Sequence, residues 1–419
     1  MKSILHPLVT GGVLFCVAFG MNGIAQEKAS GIKIGNLTLS PFVNLEWNYD
    51  SNVDLDRLEY DDWYLRVNPG LDLTYTGNDW GVNGQLWFSY DKYHQYSELN
   101  EPRFGGRFSE YWESDEKWRV VLGQSYMESK SNDSVLEGGR GIWRNRSYLD
   151  LNGAVSYQFS ERTGATASGQ YSKVDYANDG EKYGYLYGWE EWSVGLELAR
   201  KLTEKSNLLL SGSYQMYEQD NAKEYDPHNA YNNYYNFDRK SVGYSLMAGL
   251  GSRATERITY RGLMGVNWFD YGRQGNTQGW TYQLNGNWLI SKKWAASIAG
   301  SSYFQPSETE ANQSMQAYTI SGGATYRPIK RLTIRGDLGY RREDDQYERL
   351  DYGKKMTDHI YSARLRADYQ FVKHTSVYAG VDYVLWKSDE DGPYPKDEDK
   401  GYQHEYDRLL LTVGLKLRY

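Results

Sequence analysis

The chain has 419 residues and a formal net charge of −8, and aromatic residues reach 16% through 40 Tyr and 14 Trp. A mean hydropathy of −0.76 excludes a helical membrane protein, which needs runs of about 20 apolar residues. The acidic balance argues against nucleic acid as a partner.

The first element is an export address. Lys2 supplies a short positive region, Leu8 to Phe19 an apolar core, and Gly23-Ile24-Ala25 the small side chains that precede cleavage. The expectation is a signal peptide over residues 1–25, whose removal takes Lys2 with it and makes the chain one charge more negative. A lipoprotein reading through Cys16 is weaker, because Phe15 stands where such sites need a small residue. Cys16 is also the only cysteine, so without the signal neither a disulfide framework nor a thiolate metal site can form.

Residues 26–38 are expected to be a short periplasmic segment, and residues 39–419 one uninterrupted repeat of alternating segments. Short polar turns centred on Asn78, Asp115, Glu161, Glu204, Thr255, Lys292, Ile329 and Lys373 recur roughly 37 to 50 residues apart, the spacing of two membrane strands plus one exposed loop. Eight turns join pairs of strands, and one strand stands at each end. The fold class predicted is therefore all-β, a transmembrane antiparallel β-barrel of about 18 strands, with 16 as the alternative. Any one such segment is equally compatible with a half-buried strand of a soluble sandwich; the case rests on repetition along the chain.

The first strand runs through Ser40 to Val53 and ends in Asn48-Tyr49-Asp50-Ser51-Asn52, and the second carries a central Asn68-Pro69-Gly70. In the second, Trp63, Leu65, Val67, Pro69, Leu71, Leu73 and Tyr75 alternate with Arg66, Asn68, Asp72 and Thr74, which places aromatic residues near both interfaces. These two stretches resemble the start of the putative β-barrel porin 2 family, and the remaining layout matches in length. The resemblance implies an outer-membrane barrel associated with exopolysaccharide synthesis and export. It carries over fold and location, with no catalytic residues to transfer.

Nine longer loops follow the strands, among them 92–104 and 386–403, rich in Asp, Glu, Tyr and Asn. They read either as merely solvated or as carbohydrate-contacting through Tyr and Trp. Acidic clusters such as Asp389, Glu390, Asp391 and Asp397, Glu398, Asp399 read as mobile loop rather than cation site.

Toward the C-terminus Leu332, Ile334, Gly336, Leu338 and Tyr340 share an outward face, leaving Arg335, Asp337 and Arg341 inward. The same alternation turns Arg364, Arg366 and Asp368, then Asp382, and finally Arg408, Lys416 and Arg418 toward the lumen. Inward charges of both signs are expected to form ladders, which either stiffen the wall or border the conducting path and set ion preference. In the last strand Thr412, Gly414, Leu417 and the terminal Tyr419 resemble the C-terminal signal by which outer-membrane barrels are recognised for insertion.

Enzyme chemistry finds little support. His6 falls in the signal and His374 in a turn, while His94, His228, His359 and His404 fall near the outer rim, so no base stands beside a nucleophile. No catalytic, cofactor or metal residues are assigned, and no cofactor is expected. A barrel of this size is too wide to fill with its own side chains, and residues 26–38 are too few to plug it. The function expected is an outer-membrane channel for polysaccharide or oligosaccharide. A general or nutrient-uptake porin is the alternative, and a structural or adhesive barrel without an open pore the second. Expected partners are outer-membrane lipid and lipopolysaccharide, the barrel assembly machinery, the polysaccharide and a periplasmic export partner.

Overall fold

The computed structural model of the protein describes residues 31–53, 59–114, 117–133, 142–176, 188–219, 240–271, 275–306, 314–345, 356–390 and 406–419. The expected signal peptide, Cys16, His228, His404, Asp391 and the acidic run at 397–399 lie outside the described residues.

Among the described residues, alternating apolar and polar side chains build nineteen strands. They are β1 (Ile32–Ile34), β2 (Leu37–Asp50), β3 (Asp62–Thr76), β4 (Trp80–Tyr93), β5 (Glu101–Ser114), β6 (Trp118–Asp133), β7 (Ile142–Ser160), β8 (Thr163–Tyr176), β9 (Trp189–Lys201) and β10 (Ser206–Gln219). There follow β11 (Lys240–Thr255), β12 (Ile258–Asp270), β13 (Asn276–Trp288), β14 (Trp294–Pro306), β15 (Ser314–Ile329), β16 (Leu332–Asp345), β17 (Met356–Val372), β18 (Thr375–Glu390) and β19 (Tyr406–Arg418). From β2 onward each strand pairs antiparallel with the next, and β19 pairs back onto β2 from Leu410↔Asp50 to Arg418↔Phe42. The ring of eighteen strands, β2 to β19, is thereby closed. The nineteenth strand, β1, folds back on β2 from Ile32↔Leu39 to Ile34↔Leu37 through a turn in which Gly35 takes a φ of 60°, a region that suits glycine. Part of the segment expected to lead into the barrel is thus a strand itself, and the first barrel strand begins at Leu37.

The short turns hold themselves together. Thr203 Oγ1 accepts from the backbone N–H of Lys205 and Ser206 at 3.2 and 3.0 Å, and Ser291 Oγ from those of Lys293 and Trp294 at 3.2 and 3.1 Å. A hydroxyl at the first turn residue satisfies amides that no strand can reach. At the other end the strands outrun the sequence expectation: β5 starts at Glu101, inside a stretch read as loop, and β7 spans 19 residues. Pairing continues there because backbone groups keep needing partners wherever the chain goes.

Two features depart from plain strand pairing at the end away from the short turns. The Asp62 carboxylate, fully buried, accepts from the amides of Gln95 and Tyr96 at 2.9 and 3.0 Å, so the 94–100 loop bends inward. Its Leu99 packs against Val53 and the stacked rings of Tyr64 and Tyr93, with Leu410 beside them. Across the barrel, β13 and β14 pair only from Gln283↔Ser301 to Trp288↔Ala296. Beyond that, side chains take over, Thr281 Oγ1 donating to the Ser302 carbonyl at 2.7 Å, and Phe304 joins Phe269 and Tyr271 in a buried aromatic cluster.

Candidate functional site

The candidate site is the inner wall, and its character changes around the ring. From β16 through β19 and across the closing seam to β5, inward positions carry charges that meet one another. Arg408 Nε donates to Asp50 Oδ1 at 2.8 Å, and Thr412 Oγ1 to Asn48 Oδ1 at 2.7 Å. Arg418 passes over β2 to pair with Asp72 on β3, whose other carboxylate oxygen accepts from Gln85 Nε2 at 2.7 Å. Arg66 grips Asp91 with two hydrogen bonds of 2.7 Å, and Arg103 reaches the same carboxylate at 3.0 Å.

A second tie crosses a whole strand. Tyr378 of β18 lies over Gly414 of β19 and donates its hydroxyl to Glu46 Oε1 of β2 at 2.5 Å. A Cβ at position 414 would lie 2.6 Å from Tyr378 Cε2 and closer still to Cζ, so only glycine lets the ring lie flat enough to reach across. The Arg366 guanidinium sits 4.0 Å above the same ring, a cation–π contact.

The opening stretch of the sequence is thereby explained. Asn48 and Asp50 hold β19 by side chain, Ser51 exchanges hydrogen bonds with Leu409 at 3.0 and 2.8 Å, and Asn52 Nδ2 donates to the Asp407 carbonyl at 3.0 Å. In β3, Asn68 accepts from Asn44 at 3.2 Å while Gly70 leaves room for the Phe42 ring. The motif of the first two strands is a clasp that joins the first barrel strand to the last.

Arg364 pairs with Asp382, Arg366 with Asp368 at 3.1 Å, and Arg341 with Glu343. Asp337 lies beneath Gly323 of β15, and Lys416 points over the Phe42 ring at 6.0 Å. Arg335 stands directly opposite Arg366, and Arg335 has no carboxylate partner among the described residues. The arginines differ in reach: the side chain of Arg364 is 65% exposed and that of Arg366 42%, against 26% for Arg66. Leu417 and Tyr419 face outward; Tyr419 stacks on His374 at 5.7 Å and donates its amide to the Pro41 carbonyl at 3.0 Å. His359 Nδ1 lies 2.9 Å from the Tyr340 hydroxyl.

From β8 to β15 the inner wall is different. Hydroxyl and amide side chains predominate, and they bond to each other: Ser156 of the neighbouring β7 with Thr166 at 2.9 Å, Ser213 with Ser245 at 2.6 Å, Ser301 with Thr319 at 2.9 Å. In the middle of this arc a single ion pair, Glu197 with Arg261, reaches over two intervening strands and is largely buried. Beneath it Leu209, Met247 and Leu263 form a small apolar cluster. No group of three or more His, Cys, Asp or Glu residues able to hold a metal occurs among the described residues.

Sequence reasoning missed Glu46, Asp50, Asp91 and Tyr378. Their partners could not be read locally, because they lie on strands as far apart in sequence as Asp50 and Arg408, 358 residues. A glycine at 414, inward in a strand otherwise lined by long side chains, is the one local signal that a neighbour needs the space.

The sequence profile of the family described as putative beta-barrel porin 2 matches residues 27–397. Among solved structures, the FrpB iron transporter of Neisseria meningitidis (F5-1 variant) is similar at 10% identity and a TM-score of 0.49, covering 93% of this chain and 83% of its own. A mutant of the ferric enterobactin receptor PfeA of Pseudomonas aeruginosa is similar at 9% identity and a TM-score of 0.48, over 91% of this chain and 80% of that one. The siderophore receptor PirA of Acinetobacter baumannii matches at 10% identity and 0.45, over 93% and 81%. No curated protein matches this chain.

Proposed function

Because the chain belongs to the putative beta-barrel porin 2 family and so resides in the outer membrane, we propose that it is a passive channel whose cargo is a polysaccharide or oligosaccharide. The observation that carries the reading is the arc of Ser, Thr, Asn and Gln side chains facing the lumen from β8 to β15. Hydroxyls and amides donate and accept in turn, as a sugar hydroxyl does, so a glycan can exchange water for wall without leaving a polar group unpaired. Most charges of the facing arc are paired with one another, which makes it a hydrated, less interactive side. Long acidic loops outside and a wet lumen inside suit a polymer that stays solvated throughout.

The test is a planar bilayer containing the purified barrel. Expected are stable single-channel currents, interrupted in a dose-dependent way by neutral oligosaccharides of increasing length. A barrel that conducts no ions is a structural barrel and ends the channel reading. A conducting barrel whose current no oligosaccharide interrupts returns it to a general porin.

A further inference from the structure

Between the aromatic ends of the strands, the outer face is apolar with one exception among the described residues. Glu110 of β5 shares outward parity with Phe108 and Trp112, and Gln124 of β6 shares it with Leu122 and Tyr126. The exposure of Trp112, Leu122 and Tyr126, at 43%, 47% and 37%, shows that this face looks out of the barrel. The two polar side chains meet on that surface, Gln124 Nε2 donating to Glu110 Oε1 at 3.3 Å. At a rise of ~3.3 Å per residue and a tilt of ~40°, Gln124 stands about 15 Å above Trp118 and Glu110 about 5 Å above Trp112 on their own strands, so the pair lies inside an apolar band ~25 Å tall with the carboxylate toward its lower side.

A carboxylate in that position has no lipid counterpart. Hydrocarbon offers neither donor nor water, and ionisable groups at membrane depth are found facing protein or a wet cavity. Their mutual hydrogen bond uses one of the two N–H groups of Gln124 and one of the two oxygens of Glu110. The second N–H and the second oxygen are left for something outside this barrel.

We propose that this face, centred on Glu110, Leu122 and Gln124, is where a second copy of the chain packs in a two-fold contact. An axis along the membrane normal brings the patch against itself at one depth, and two residues already hydrogen-bonded to each other share that depth. The patch holds a donor and an acceptor together, so Gln124 of each copy can donate to Glu110 of the other: the pairing is self-complementary, as an isologous interface must be. A lone glutamate would repel its symmetry mate, and the glutamine beside it converts the encounter into a closed ring of hydrogen bonds. Polar groups of this kind hold membrane segments together where apolar contact with a partner and with lipid are nearly equivalent. Each copy keeps its own lumen.

The experiment uses the full chain, purified in mild detergent and in native membranes. Native mass spectrometry is expected to find dimers, and Glu110→Leu with Gln124→Leu to lower the dimer affinity at least tenfold while the barrel stays heat-modifiable. Glu110→Gln, which keeps both hydrogen-bonding functions, is expected to retain the dimer. In a Cys16→Ser background, Leu122→Cys is expected to cross-link to itself between copies, whereas Leu338→Cys, on the distant β16 and 68% exposed, is not. A monomer at all concentrations overturns the proposal, and so does a dimer that survives the double leucine variant or cross-links through position 338.

Discussion

The two arcs of the inner wall are built from the same backbone and the same alternation, yet their side chains do opposite things. From β16 through the seam to β5, inward side chains are long, charged and spent on one another: Arg408 on Asp50, Arg418 on Asp72, Tyr378 on Glu46. From β8 to β15, apart from the buried pair of Glu197 and Arg261, hydroxyl and amide side chains predominate, and their hydrogen bonds are single links such as Ser213 to Ser245. The difference follows from where the ring must be joined. Neighbouring strands elsewhere are tethered by a turn, but β19 meets β2 after the whole chain has intervened, and loop-closure entropy favours no particular register there. Side-chain ties at the seam supply the register that a turn supplies elsewhere. The hydroxyl arc carries no such duty, which leaves its polar groups for a ligand.

The sharpest way to break this division is to disturb the clasp at its tightest point. Gly414→Leu places carbon where the Tyr378 ring lies. The expected cost combines overpacking, about 1–3 kcal/mol, with loss of the charged hydrogen bond to Glu46, another ~1.5–3 kcal/mol. Loss of most folded protein from the outer membrane, and a lower unfolding midpoint in urea for what remains, should follow. Gly169→Ala in β8, whose added Cβ meets nothing nearer than the Ser193 carbonyl at 3.8 Å, is expected to leave both unchanged. The double variant Gly414→Ala with Tyr378→Ala separates the two terms, since it relieves the clash and still lacks the tie. Equal behaviour of the two glycine positions would mean that the seam needs no clasp.

How far the sequence shows this division depends on what each feature requires. Alternation is a local property, so the inward faces of Arg335, Asp337 and Arg364 are legible from a dozen residues. The short turns are legible for the same reason, their hydroxyl and charged residues recurring between apolar stretches. Strand ends are less so: Glu101 opens β5 within a stretch of loop-like composition, because pairing above the membrane asks nothing of hydrophobicity. The partners of the arginines are not legible at all. Arg408 meets Asp50 and Arg418 meets Asp72 only once a register exists between strands more than 340 residues apart, and that register is itself a product of closure. The terminal residues illustrate the point. Thr412 and Gly414 read as an insertion signal, and the folded barrel also gives each a mechanical task, Thr412 bonding Asn48 and Gly414 seating Tyr378.

A milder test asks whether any charge of the locked arc remains available to ions. Arg364 and Arg366 are inward arginines whose side chains stay well exposed to the lumen, at 65% and 42%. Neutralising both with Arg364→Gln and Arg366→Gln leaves Asp382 and Asp368 without their cations, so the wall gains net negative potential. Low-dielectric walls focus that potential, and the reversal potential in a salt gradient is expected to move toward cation preference by a few-fold in permeability ratio. The unfolding midpoint should change little, since pairs this exposed contribute about 0–1 kcal/mol. Unaltered selectivity would assign these arginines to the clasp with the rest and make the locked arc purely structural.

The smallest expected effect lies on the quiet arc, and it sharpens the comparison most because it must leave everything else alone. Ser213 and Ser245 face each other across β10 and β11, their hydroxyls 2.6 Å apart. Replacing both with alanine removes two hydroxyls and leaves no polar group unpaired, since each was the other's partner, so the fold should lose under about 1 kcal/mol. A glycan passing this wall loses places to exchange water for protein, and a hydrogen bond of that kind is worth ~0.5–1.5 kcal/mol. Oligosaccharide block of the current is therefore expected to weaken by two- to tenfold, with conductance and ion preference as in the wild type. The arcs are then separable in one instrument, one by reversal potential and the other by sugar block. Should Ser213→Ala with Ser245→Ala shift ion preference instead, or should Arg364→Gln with Arg366→Gln abolish sugar block, cargo and ions would share one wall and the hydroxyl arc would lose its separate role.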